Sequence, residues 1–170
     1  MVTRSHALTG SAGVYFVAAQ ISALGFHAAL TMHNVPNIDL VASKLNGSHS
    51  VGIQVKTSTL ANRKSGDGEN RSIVQYQWDM SENAWNAALV KGTELLFAFV
   101  DLNCDQGTAL EEVPEVFVVP CSFLRKYYRG VVRRSFGGDA LKWKRKRIHV
   151  AASEFNQFKN NWAILRASLR

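Results

Sequence analysis

Two cysteines, three prolines and the absence of any long apolar run say first what this chain of 170 residues does without. Cys104 and Cys121 are too few for a disulfide framework or a thiolate zinc set, so both are expected as buried reduced thiols in a reducing, intracellular setting. No stretch approaches the ~20 consecutive apolar residues of a membrane span, and the N-terminus lacks a signal-peptide pattern. The expectation is a soluble, cytoplasmic protein with no membrane partner. His27, His33, His49 and His149 have no second His, Cys or acid at a metal-ligand interval. G-x-x-x-x-G-K-[ST], G-x-G-x-x-G and G-x-S-x-G are missing, which leaves nucleotide-cradling and serine-hydrolase chemistry without support. Internal repeats and low-complexity tracts are missing too.

What the chain does have is 46% hydrophobic residues, enough to bury a full core, and a net charge of +7. The length suits one domain over residues 1–170. The charge is concentrated. Arg125, Lys126, Arg129, Arg133, Arg134, Lys142, Lys144, Arg145, Lys146 and Arg147 face a single acid, Asp139, so the segment from 125 to 147 nets +9 and the remainder −2. Tyr127, Tyr128, Phe136 and Trp143 are interleaved with these cations. Cations that displace condensed counterions, next to rings that can stack on bases, favour a nucleic-acid backbone as partner. A solvated basic surface or an acidic protein partner is the plainer alternative.

Hydrophobic periodicity sets out the elements. Val14, Val17, Ala18, Ile21 and Leu24 predict a helix over 10–24, capped by Thr9 or Ser11 and closed by Gly25. Phe26, Ala28, Leu30 and Met32 alternate as a strand. Residues 59–71 lose all periodicity and read as an exposed loop, followed by a strand over 72–78 and a helix over about 81–90 with Ser81 as its N-cap. The runs 94–102 and 115–119 read as buried strands, 121–129 as a short helix interrupted beyond by Gly130, and 147–151 as a last strand. A terminal helix from about Ser153 sets Phe155, Phe158, Trp162 and Leu165 on one stripe. This order predicts a mixed sheet flanked by helices, an α/β or α+β domain.

Between Pro36 and Ser58 lies the stretch with most chemical content. Asp39 leads into a strand, Asn46-Gly47 is a two-residue turn signal, and Val51, Ile53 and Val55 alternate with Gly52, Gln54 and Lys56 on the return strand. Side chains on a strand alternate between faces, so Gln54 and Lys56 share one face, with Asp39 on the neighbouring strand. An acid, an amide oxygen and an ammonium are the group types that a divalent ion and a phosphate require. Read structurally instead, Asp39 and Lys56 form a surface ion pair, Gln54 is a hydrogen-bonded strand residue and Val14 a core residue.

The helix, the NID at 37–39 and the QVK at 54–56 together resemble the PD-(D/E)XK nuclease superfamily, the restriction-endonuclease-like fold that includes Holliday-junction resolvases. YQWDM, FAFVDL, EVFVVP and NNWAIL further on resemble small bacterial proteins of that superfamily. The resemblance implies a Mg²⁺-dependent endonuclease acting on DNA, dimeric as resolvases often are. Asp39 would ligate metal, Gln54 would assist in metal binding and catalysis, and Lys56 would contact the scissile phosphate. Two positions depart from the pattern. Gln54 stands where the superfamily has an acid, and Val14 where many members carry a glutamate in the first helix. Asp67, Glu69 and Glu154 are the carboxylates left to complete the set, and His33 the histidine placed to act as a base. A catalytically inactive relative that binds nucleic acid or protein is the alternative, and an immunity or scaffold role the third.

Overall fold

The computed structural model describes residues 6–32, 37–67, 71–80, 82–89, 95–104, 113–136 and 147–170. The elements run α1 (His6–Ala23), β1 (His27–Leu30), β2 (Leu40–Ser43), β3 (Ser50–Ser58), β4 (Asn62–Ser65), β5 (Ser72–Asp79), α2 (Glu82–Leu89), β6 (Leu96–Asp101), β7 (Glu115–Pro120), α3 (Cys121–Phe136), β8 (Arg147–Ala151), α4 (Ala152–Phe155), a 3₁₀ turn (Asn156–Phe158) and α5 (Ala163–Ser168). Two sheets result, where the sequence predicts one. Five strands are ordered β1-β2-β3-β6-β7, and three are ordered β4-β5-β8. The β3–β6 pair is parallel; every other neighbouring pair is antiparallel.

Local chemistry explains the boundaries. α1 stops at Gly25, whose φ of +86° is left-handed, while Gly25 N–H donates to the Ser22 carbonyl and Phe26 N–H to the Ile21 carbonyl. That pair of bonds satisfies carbonyls the helix end leaves open. The β2–β3 turn is longer than the Asn-Gly signal predicts. Lys44 N–H donates to the His49 carbonyl, so the loop is Leu45–Ser48, with Gly47 at φ +70° and Asn46 Oδ1 accepting Ser48 N–H.

β6 lies between β3 and β7 and is buried along its whole length, so its two faces feed two cores. Leu96, Ala98 and Val100 join Val51, Ile53, Val55, Val116 and Val118 beneath Val17 and Ile21 of α1 and Leu165 and Leu169 at the C-terminus. Phe97 and Phe99 face the other way, onto Tyr76, Trp78, Phe117 and Phe155. There the rings of Phe117 and Phe155 stack at 4.9 Å and Tyr76 meets Phe117 at 4.7 Å. Trp78 also donates from Nε1 to the Val100 carbonyl at 2.9 Å, pinning the three-stranded sheet to β6.

Two buried polar groups join the layers. Asp101, fully buried at the end of β6, accepts from the N–H groups of Ala61, Asn62 and Asn103 and from Asn62 Nδ2, at 3.0–3.2 Å. Burial pushes its carboxyl pKa upward, and those four donors pull it back. Tyr76 is raised to about 12 by burial and by the carboxylates of Glu115 and Asp101.

Three further elements differ from their sequence reading. Within 59–71 the chain forms β4, an edge strand paired with β5 through a register shift at Arg63/Lys64. Its polar side chains are mostly exposed, so it carries no alternation to detect. Gly130 does not interrupt α3, which continues to Phe136, while Leu124, Tyr127 and Tyr128 pack its first half onto the core. The terminal helix is broken at 156–162, where Asn160 takes φ +50°, which sends Phe155 and Phe158 to one core and Leu165 to the other. Ser81 lies outside the described residues.

Candidate functional site

Asp39 immediately precedes β2 and is tied to β3 twice. Its N–H donates to the Ile53 carbonyl at 2.9 Å, and its Oδ2 accepts Val55 N–H at 2.7 Å. It therefore grips the backbone on both sides of Gln54. On the β1 side, Thr31 N–H donates to the Asp39 carbonyl and the Thr31 hydroxyl to the Ile38 carbonyl. These bonds fix one carboxylate at the corner where α1, β1 and β3 meet.

Gln54 and Lys56 lie on the opposite face of β3 from α1. In the parallel register Gln54 aligns with Phe97 and Lys56 with Phe99, both on the aromatic side of the sheet. Gly52 agrees, since a side chain there would meet Ile38 and Leu95. Gln54 is only 6% exposed, and its Oε1 is buried without a hydrogen-bond partner. Lys56 is partly buried; desolvation lowers its pKa below the ordinary lysine value, and the Asp39 charge pulls it back up. The structure thus links Asp39 to Lys56 through electrostatics and to Gln54 through the backbone.

The α1 side of this corner is a cleft of about 400 Å³. Ala7, Gly10, Ser11, Val14 and Tyr15 line it from α1, and Leu30, Thr31, Met32, Ile38, Asp39 and Val55 line it from the strands. Val14, the apolar residue at the expected acid position, stands in the same cleft as Asp39. The close seating of α1 depends on Gly13, where an added Cβ would lie 2.0 Å from Thr57 Oγ1.

Among the described residues no group of three or more His, Cys, Asp or Glu side chains gathers for a metal. Asp39 and Gln54 supply hard oxygens, one charged and one neutral, and the unpartnered Gln54 Oε1 is free to accept a cation. This fits Mg²⁺ when waters and phosphate oxygens complete its octahedron. Of the other carboxylates, Asp67 is exposed beyond β4 and Glu154 exposed on α4, which packs on β5 and β8. Glu69 and His33 lie outside the described residues. His27 and His49 are exposed, and His149 exchanges backbone hydrogen bonds with the Tyr127 hydroxyl. Cys104 and Cys121 are buried, and desolvation raises the Cys121 thiol.

The basic segment is divided by the fold. Lys126 and Arg129 are exposed on α3, and Arg133 and Arg134 continue that helix. Arg125 instead donates to the Ala88 carbonyl of α2 at 3.1 Å, and Arg147 pairs with Asp79 at 2.6 Å. The rings of Tyr127 and Tyr128 pack on Trp85. Lys142, Lys144, Arg145, Lys146 and Trp143 lie outside the described residues. The charge pattern alone does not separate the cations that hold helix ends and strand ends from those that face solvent.

No described helix is long and apolar enough to cross a membrane. The chain matches no protein-family model and no curated protein in sequence. Among solved structures it is similar to the bacterial homing endonuclease I-Ssp6803I, with a TM-score of 0.51 at 12% identity, over 95% of this chain and 91% of that one. At that identity the likeness is one of fold, and the fold of this chain is a nuclease-like mixed α/β arrangement of two sheets flanked by helices.

Proposed function

We propose that the protein is a nuclease of the PD-(D/E)XK type that binds DNA and hydrolyses phosphodiesters slowly with Mg²⁺. The observation that carries this reading is the buried, unpartnered Gln54 Oε1 on the strand whose backbone Asp39 grips on both sides. An amide oxygen is costly to bury unpaired, and a coordinating cation would satisfy it. Asp39 and Gln54 would hold the metal; when bound, it would supply Lewis-acid stabilisation and a more acidic water. Lys56, partly desolvated on β3, would offset charge on a phosphate oxygen, whose approach would in turn favour its ammonium form. Lys126 and Arg129 on α3, with Arg133 and Arg134 further along it, would attract the DNA backbone.

The test is incubation with branched, nicked, single-stranded and linear DNA in Mg²⁺ or Mn²⁺. Asp39→Ala and Lys56→Ala are each expected to slow cleavage roughly 100-fold. Cleavage that survives both substitutions would sink the assignment.

A second reading has its own observation. Val14 lines the Asp39 cleft where an acid would complete a ligand set. A catalytically inactive nuclease fold that binds DNA follows from that departure. It predicts binding that weakens steeply with salt and no turnover in any divalent metal.

A further inference from the structure

The cleft beside Asp39 and the phosphate-directed groups point in different directions. Gln54 and Lys56 face the aromatic side of β3, while the cleft opens on the α1 side. Its described lining holds one charge, the Asp39 carboxylate, and no lysine or arginine. A phosphate entering it would meet an anion and no cation. An uncharged, flat, largely apolar group suits the lining instead: Val14, Ile38 and Val55 are apolar, and Ser11 and Thr31 carry hydroxyls. The volume of about 400 Å³ is within the range of small-molecule sites, room for one base with its sugar and too small for a stacked duplex.

Three residues of the lining are apolar or aromatic yet open to solvent. Tyr15 is 64% exposed, Leu30 53% and Met32 85%. Side chains of this type gathered around one concavity mark a binding surface rather than ordinary exposure. Asp39 lines the cleft and its charge also acts on Lys56, so one carboxylate is common to the cleft and to the surroundings of the lysine.

We propose that this cleft takes an unpaired nucleobase, stacked on Tyr15 with Leu30 and Met32 at its edges, and so selects single-stranded or locally unpaired DNA. The inference rests on the DNA-binding reading above and deepens it by naming the substrate class. Stacking on a side-chain ring is tolerant of base identity, because every base presents a π-face. Selectivity is therefore for the unpaired state and not for sequence.

The test is binding in EDTA, where no cleavage competes. Three fluorescein-labelled probes serve: a 15-mer of oligo-dT, the same length of abasic backbone, and a 15-base-pair duplex. Wild type is expected to bind oligo-dT about tenfold more tightly than the abasic strand. Tyr15→Ala is expected to erase most of that ratio and Tyr15→Phe to keep it, with Met32→Gln lowering it less. Thermal melting confirms that these exposed positions leave the fold intact. Equal affinity for oligo-dT and abasic strand, preference for the duplex, or no binding of any probe overturns the inference. So does a Tyr15→Ala variant that loses only self-association, because that result assigns the exposed rim to a second copy of the chain. Metal-dependent cleavage by wild type with equal oligo-dT and abasic binding overturns the base site and leaves the nuclease reading standing. Base-selective binding through Tyr15 without cleavage in Mg²⁺ or Mn²⁺ supports the base site and overturns the catalytic reading.

Discussion

The two faces of the five-stranded sheet are built from different materials. One is filled with aromatic rings: Tyr76, Trp78, Phe97, Phe99, Phe117 and Phe155 are all nearly or fully buried and meet edge to face or in stacks. The other is aliphatic and is covered by α1, an 18-residue helix without Asp, Glu, Lys or Arg, which at its first turns stands over a cleft. The ring cluster itself has no slack, because its large rings fill the space among them by contact with one another. On the aliphatic face α1 approaches β3 closely at Gly13, and its first turns leave room for the cleft. The interlocked rings lie on one side of the sheet, and the cleft under α1 opens on the other.

The strongest way to probe that contrast is Phe155→Ala. Phe155 is fully buried and contacts the rings of Tyr76, Trp78, Phe99, Phe117, Phe123 and Phe158. A loss of about 3–5 kcal/mol in urea unfolding is expected. A loss below 1 kcal/mol would mean that the ring cluster does not carry the fold.

On the opposite face Gly13→Ala is expected to cost about 1–3 kcal/mol, as overpacking does, because the new methyl meets the Thr57 side chain. Adding Thr57→Ala is expected to recover part of that loss in the same assay. No recovery would show that the close approach of α1 to β3 is not what limits this face.

Lys56 sharpens the comparison through pH. Its pKa is lowered in the folded protein, chiefly by desolvation, so between the folded value and the ordinary 10.5 the unfolded chain binds the additional proton. Folding stability contributed by this group therefore rises with pH across that window. Lys56→Met is expected to stabilise the protein at pH 7, and the difference from wild type to shrink as pH rises toward 10. A difference that stays constant with pH would contradict the burial of an ammonium here.

The smallest effect is expected at the solvent end of the three-stranded sheet. Asp79 and Arg147 pair at 2.6 Å, but Asp79 is 78% exposed, so Arg147→Ala is expected to cost about 0.5 kcal/mol or less. The Arg147 hydrogen bond lowers the Asp79 pKa, and this contribution is lost as pH falls through that lowered value. Stability curves of wild type and Arg147→Ala would converge in acid. Divergence there would reverse the sign of the argument.

The parts of this fold legible in sequence are those where one periodicity speaks for one environment. β3 alternates because its two faces see two cores, and the runs that became β6 and β7 are continuous because both sides are buried. Gly25 ends a helix wherever a left-handed residue is needed. β4 is hidden because an exposed edge strand leaves no hydrophobic imprint, and α3 runs past Gly130 because one glycine inside a helix costs only about 1 kcal/mol, too little to end it. At the site, Asp39, Gln54 and Lys56 could be found from the hairpin pattern. That Gln54 and Lys56 face the aromatic core could not, because it follows from the parallel register with β6, a partner about forty residues away. Tyr15 gave no sequence signal either; it sits in an apolar helix where only the third dimension distinguishes a rim residue from a core one.

That same register bears on how the chain is made. β3 is bounded on one side by β2, its hairpin partner, and on the other by β6, which follows only after β4, β5 and α2. During synthesis the aliphatic edge of β3 therefore waits through some forty residues with its hydrogen-bonding groups open to any passing strand. Asp101 closes that interval. Its carboxylate takes up the amides of Ala61 and Asn62 just past β3 and of Asn103 just past β6, so the same residue that ends β6 clamps the loop that left β3. A nascent chain truncated before residue 96 lacks both the sixth strand and the latch at its end.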